Sequence, residues 1–144
     1  MRSTAQCLVE FEKQSGSIHH AAQLQPDQAL EFARTCGGIN EATNENLEHF
    51  VAGVNKIVPP IDFGNINGEP NPNNGRSFHT FTVGQEYSRV VYVTVIKGYI
   101  KGWTDGDYRI LARRLKQQAQ LSGADEAEVT ENDKDCLTFR AWWD

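Results

Sequence analysis

The segment RVVYVTVIKGYIKGW, residues 89–103, limits most strongly the folds that this chain can adopt. Its valines and isoleucines occupy both sides of an extended backbone, and this pattern is typical of a strand at the centre of a sheet. Gly98 and Gly102 predict a kink or a hairpin near its end. The preceding segment SFHTFTV, residues 77–83, predicts a neighbouring strand, with GQEYS as the connection between them.

Three further segments carry apolar residues at helical spacing. A first helix is predicted over residues 26–36 and a second over residues 43–58, because a glycine pair and a proline pair stop the two patterns. The third helix has the clearest start, since Thr104 and Asp107 have the spacing that satisfies the first free amides of a helix. Gly123 is predicted to end this third helix.

Strands are also predicted near both ends of the chain. TAQCLVEFEK and IHHAAQL, residues 4–13 and 18–24, predict the first two strands. EAEVT and CLTFRAWW, residues 126–130 and 136–143, predict a terminal hairpin in which alternate residues of the last strand share one apolar face.

The predicted order of strands and helices indicates the fold class. Strands at both ends, two helices, a run of strands and one more helix predict an α+β fold, with a single layer of helices packed on a mainly antiparallel sheet. The closest simple topology is ferredoxin-like, a split β-α-β arrangement, with extra strands. We expect one domain over residues 1–144, because no repeat or shift in composition divides the chain.

Composition excludes several classes of protein. Apolar residues make up 39% and charged residues 23% of the chain, as in a globular domain rather than a disordered one. No stretch approaches the ~20 apolar residues of a membrane span, and the first residues lack the apolar region of a secretory signal. Three distant cysteines without C-x-x-C spacing favour a cytoplasmic protein, for which we expect neither metal nor cofactor. The net charge of −5 argues against nonspecific nucleic-acid binding.

Residues 59–77 form a segment rich in asparagine, proline and glycine. Its prolines stiffen the backbone, and Asn67-Gly68 and Asn74-Gly75 each predict a tight turn. Ile61 and Phe63 are apolar residues, which a flexible linker would leave exposed to water. We therefore expect an ordered loop that forms either a pocket wall or a contact surface.

Four polar residues are candidates for a pocket between the sheet and this loop: His79, Asp62, Arg76 and Tyr92. His79 could serve as a general base, because the ordinary pKa of imidazole lies near neutrality. No serine or cysteine nucleophile can be assigned to it, and a packed strand histidine is the simpler interpretation.

Charged residues are unevenly distributed near the C-terminus. Residues 97–123 carry six cations and two acids, a net +4, whereas residues 124–144 carry seven acids and two cations, a net −5. Arg109 and Arg113 lie four residues apart on the third helix, and could bind phosphate or an acidic protein surface, or keep an outer helix face soluble. This asymmetry would suit self-association or a charged partner, and the acids of the last segment would also suit a regulator that imitates phosphates.

Trp142 and Trp143 point to opposite faces of the last predicted strand. One can enter the core, and the other must find cover from a loop, a ligand or a second subunit. The sequence therefore favours a small non-enzymatic binding or protein-interaction domain that forms a homo-oligomer through a sheet edge or the terminal strand. The alternative is a small-molecule-binding domain or a small enzyme with its pocket beneath the 59–77 loop.

Overall fold

The computed structural model describes seven parts of the chain, which are residues 19–35, 42–58, 65–66, 69–70, 79–86, 88–97 and 102–144. Within them lie three helices and a five-stranded antiparallel sheet, so the chain has the predicted α+β class. The sheet contains β1 His19–Leu24, β4 His79–Glu86, β5 Ser88–Ile96, β6 Glu126–Asn132 and β7 Cys136–Trp142. Their spatial order is β1-β4-β5-β7-β6, which confirms that the valine-rich segment is the central strand.

The helices are α1 Pro26–Thr35, α2 Asn44–Ile57 and α3 Asp105–Leu121. The predicted start of α3 is confirmed, because the Thr104 amide donates to Asp107 Oδ2 over 2.8 Å and the Asp107 amide donates back to Thr104 Oγ1. Thr43 caps α2 through its side-chain oxygen, which accepts a hydrogen bond from the Asn46 amide. No described helix is long and apolar enough to cross a membrane.

The helices cover one face of the sheet because alternate residues of each strand are apolar. On this face Phe81 pairs with Val93 and Val93 pairs with Phe139, and all three are at most 1% exposed. The apolar stripes of the helices join them in a single core cluster. The predicted single layer of helices on the sheet is therefore confirmed.

We call the opposite side the outer face, and define it by the described side chains that alternate with the core residues. Two rows cross the strands there, which are Thr82–Tyr92–Arg140–Glu128 and Thr80–Thr94–Thr138–Glu131. The residues of these rows on β4, β5 and β7 are half-buried, while Val90 near the β4–β5 hairpin is fully buried. Exposure therefore rises along β5 towards Ile96, which is 41% exposed.

A split β-α-β unit occurs once among the described elements. β5 and β6 run parallel, with α3 between them in sequence and the antiparallel β7 between them in space. β1 and β4 are instead directly paired and antiparallel, although α1 and α2 connect them in sequence. The unit is thus not repeated as a ferredoxin-like fold requires, and that finer topology is not confirmed.

Two very short strands lie within the predicted 59–77 loop. β2 Asn65–Ile66 pairs antiparallel with β3 Glu69–Pro70, while the turns predicted at Asn67-Gly68 and Asn74-Gly75 fall on residues that the structure does not describe. The rest of this loop and the strand predicted over residues 4–13 lie outside the described residues. The single-domain assignment stays a prediction.

Candidate binding surface

Three side chains of the outer face converge on Glu86, the last residue of β4. Arg140 Nε and Nη2 each lie 2.8 Å from Glu86 Oε1, and the Tyr92 hydroxyl donates to Oε2 over 2.8 Å. The indole N–H of Trp142 donates to the backbone carbonyl of Glu86 over 2.8 Å. We call Glu86, Tyr92, Arg140 and Trp142 the Glu86 cluster.

Strand register explains why these residues meet. Tyr92 lies directly across from Arg140 on the neighbouring strand, and Trp142 follows Arg140 on the same face. Glu86 belongs to the same face at the hairpin end of β4. The cluster is therefore built by three adjacent strands, β4, β5 and β7.

Ion pairing makes Arg140 the centre of the cluster. Its side chain is 14% exposed, and Glu86 is 24% exposed, so their contact is partly shielded from water. Glu126 and Glu128 of β6 lie 3.5 and 3.4 Å from Arg140 Nη1, but they are 54% and 60% exposed and contribute little to stability. These two glutamates form an acidic border beside the guanidinium group of Arg140.

Electrostatics define what the cluster can do. Burial raises the pKa of Tyr92, and the hydrogen bond to Glu86 and its negative charge raise it further. The phenol therefore stays protonated at neutral pH and acts as a hydrogen-bond donor. With Glu86 paired to Arg140, the cluster offers a rigid contact surface with aromatic and cationic groups, rather than an acid–base pair.

The two tryptophans divide between the core and the surface. Trp143 is 1% exposed, meets Phe50 edge-to-face at 5.5 Å and donates its indole N–H to the Ser122 carbonyl over 3.0 Å. Trp142 is half-buried on the outer face. Of the predicted binding residues, the structure thus brings Tyr92 and Trp142 together and places Trp143 among core residues.

His79 lies in the core beneath α2. Its Nε2 is 2.8 Å from Asn55 Oδ1, which can only accept, so Nε2 carries the proton in this contact. Burial lowers its pKa from 6.5 to about 4, and Nδ1 has no hydrogen-bond partner among the described residues. This neutral, fully buried ring holds strand β4 against α2.

The predicted pocket residues do not share one surface where they are described. His79 faces the helices, whereas Tyr92 faces outward on the next strand. Asp62 and Arg76 lie outside the described residues. Arg109 and Arg113 are exposed on α3, and Arg109 alone of the two lines a cleft at the beginning of that helix.

One group of side chains has the composition of a metal site. Ligand atoms of Glu131, Asp133 and Cys136 lie within 4.8 Å of one another. Asp133 Oδ1, however, accepts from the amides of Asp135 and Cys136 at 2.8 and 2.9 Å, which closes the turn before β7. Burial and the charges of Asp133 and Glu131 raise the pKa of the Cys136 thiol, so the thiol is protonated in the absence of a bound cation. The group is best explained as a stabilised turn.

Compared with models of protein families, with curated proteins and with solved structures, the chain matches none of them. The Glu86 cluster is thus identified from its geometry alone. Sequence reasoning missed Glu86 and Arg140, its two charged members. The available signal was the even spacing of Arg140 and Trp142, which places both on one face of the last strand.

Proposed function

We propose that the protein is a non-enzymatic interaction domain that associates with a second copy of itself through the outer face. The observation that carries this proposal is the partly buried Glu86 cluster, which presents Tyr92, Arg140 and Trp142 on the side away from the described helices. Tyrosine, tryptophan and arginine are the residues most enriched among those that dominate binding energy.

Preorganisation supports this role. Each member of the cluster is held by at least one hydrogen bond of 2.8 Å, so its side chain is already ordered before a partner arrives. Binding then costs less side-chain entropy than it would for free rotamers. The neighbouring threonines 80, 82, 94 and 138 add a β-branched surface on which a second sheet can pack.

Association through the β6 edge of the sheet is less favourable than association through this face. β7 pairs with a strand on each side, so the terminal aromatic strand offers no free edge. β6 is an edge among the described strands, but it carries three glutamates and an irregularity between Val129 and Glu131, which are features that discourage strand addition.

Charge on the outer face is compatible with two-fold self-association. The cation of Arg140 lies beside the acidic border formed by Glu126 and Glu128. A two-fold axis through the face can set the border of one protomer against Arg140 of its partner, as a self-complementary interface requires. The expected cytoplasmic location belongs to this proposal. The alternative is a small-molecule pocket beneath the 59–77 loop, and no two of its candidate polar residues meet among the described residues.

Light scattering on a size-exclusion column tests the proposal through one substitution. Thr138→Arg places a long cation in the middle of the outer face, where the half-buried threonine lies between Thr94 and Glu131. Gln117→Arg is the matched control, because it adds the same side chain at an exposed position of α3, in the opposite layer.

We expect a dimer mass for the unmodified protein and for Gln117→Arg, and a monomer mass for Thr138→Arg with its circular dichroism unchanged. A monomer mass for the unmodified protein at high micromolar concentration would contradict the proposal. Equal dimer masses for both variants would show that association uses another surface.

A further inference from the structure

We propose that a cleft at the beginning of α3 binds a small organic anion that carries an aromatic ring. The cleft has a volume of about 790 Å³ and lies where the end of β5, the first turn of α3 and the β6–β7 turn meet. Sites for small molecules commonly have this size. Its lining is given by Lys97, Trp103, Asp105, Tyr108, Arg109, Asn132, Asp133 and Lys134, none of which belongs to the Glu86 cluster.

Two aromatic rings provide the apolar wall of the cleft. Trp103 and Tyr108 pack edge-to-face, with ring centroids 5.2 Å apart. The Tyr108 hydroxyl donates to the Lys97 carbonyl over 3.0 Å, which fixes the ring and occupies its polar end. Trp103 remains half-buried and offers an aromatic surface to a flat ligand.

Three cations surround this wall. Lys97 Nζ lies 4.9 Å from the centre of the Tyr108 ring and donates to Asn132 Oδ1, so the ammonium group is held inside the cleft. Arg109 and Lys134 are exposed at its border, and within the described ranges neither forms an ion pair. A carboxylate or phosphate between them would gain paired, charge-assisted hydrogen bonds.

The two acids of the cleft, Asp105 and Asp133, compete only in part with such a ligand for the three cations. Asp133 is directed into its own turn, where hydrogen bonds from the Cys136 and Asp135 amides lower its pKa. Asp105 remains as the acid that faces the opening. Among the described lining residues, three cations against two acids leave a net charge of +1, which favours an anion.

The capping box satisfies the amides of Thr104 and Asp107, so these two amides are not available to a ligand. We assign recognition to side chains, with Trp103 contacting the ring of the ligand and Arg109 contacting its acid group. This assignment is independent of self-association, since the outer face contributes no residue to it.

Titration followed by nuclear magnetic resonance tests the site directly. Phenylacetate and phenyl phosphate serve as probes. Phenylacetamide has the ring but no charge and is the control for the charge, while inorganic phosphate has the charge but no ring and is the control for the ring. The reporter is the indole N–H signal of Trp103, assigned with Trp103→Phe and compared with those of Trp142 and Trp143. We expect saturable shifts of the Trp103 signal with one or both aromatic anions, and weaker shifts with either control.

Arg109→Gln and Arg113→Gln form a matched pair on α3, one turn apart, of which the first alone lines the cleft. We expect Arg109→Gln to weaken binding roughly tenfold, as the loss of one charge-assisted hydrogen bond implies, and Arg113→Gln to leave it unchanged. Absence of any saturable Trp103 shift at millimolar probe would overturn the proposal. Equal weakening by both substitutions would also overturn it, because that result indicates general charge attraction.

Discussion

At the scale of single residues, His79 is a titratable group enclosed by apolar neighbours. Its side chain is fully buried, it contacts Phe81 edge-to-face at 5.3 Å, and its one described hydrogen bond joins it to Asn55. Protonation would place a charge in this environment without a described counter-ion. His79 should therefore make the stability of the protein depend on pH.

The pKa of His79 is lowered from 6.5 to about 4 by burial, so the unfolded chain binds the proton first as pH falls. We expect the free energy of unfolding to fall between about pH 7 and pH 4, by about 3 kcal/mol from this group. Urea denaturation of the protein and of His79→Gln across this range isolates the contribution. The difference between the two curves should change by that amount, and parallel curves would contradict a buried neutral imidazole.

The adjacent tryptophans offer a second comparison at this scale. Trp143→Ala removes a fully buried ring and its bond to Ser122, and should lower the free energy of unfolding by about 3–5 kcal/mol. Trp142→Ala removes a half-buried ring from the outer face and should cost about 1–2 kcal/mol. Denaturant midpoints measure both values. Equal losses would contradict the division between core and surface.

At the scale of helices and strands, the start of α3 is a locally encoded feature that also positions Trp103 and Tyr108. Thr104→Ala removes the side-chain half of the capping box and should lower the free energy of unfolding by about 1 kcal/mol. Thr130→Ala, at an exposed position of β6, provides a control that we expect to cost less than half as much. Thermal unfolding of both variants measures the difference. A Thr104→Ala variant with an unchanged free energy of unfolding would contradict the role of the cap.

At this scale, features held by interactions between residues close in sequence could be predicted, and features held by residues distant in sequence could not. The cap at Thr104 was predictable because its partner is three residues away, and β7 was predictable because alternate apolar residues mark its buried face. The sequence pattern places Glu86 in a connection, whereas β4 extends through it. Arg140 lies 54 residues from Glu86 along the chain, so its ion pair depends on strand order, which no local pattern specifies.

At the scale of the whole molecule, the predicted α+β class follows from the alternation of element types, but the arrangement of strands does not. A split β-α-β unit could be predicted for β5, α3 and β6, while the direct antiparallel pairing of β1 with β4 could not. The candidate surface was accordingly predicted only in part. Tyr92 and Trp142 were identified, and the charges that organise them became evident from the register of three strands.

The measurement that tests the central proposal most directly is a dilution series followed by nuclear magnetic resonance, from millimolar to micromolar protein. Signals of Tyr92, Thr94, Thr138 and the Trp142 indole should shift together with concentration, because these groups lie on the outer face. Signals of Arg113 and Gln117 on α3 should stay constant. Concentration-independent spectra, or shifts confined to α3, would contradict self-association through the outer face.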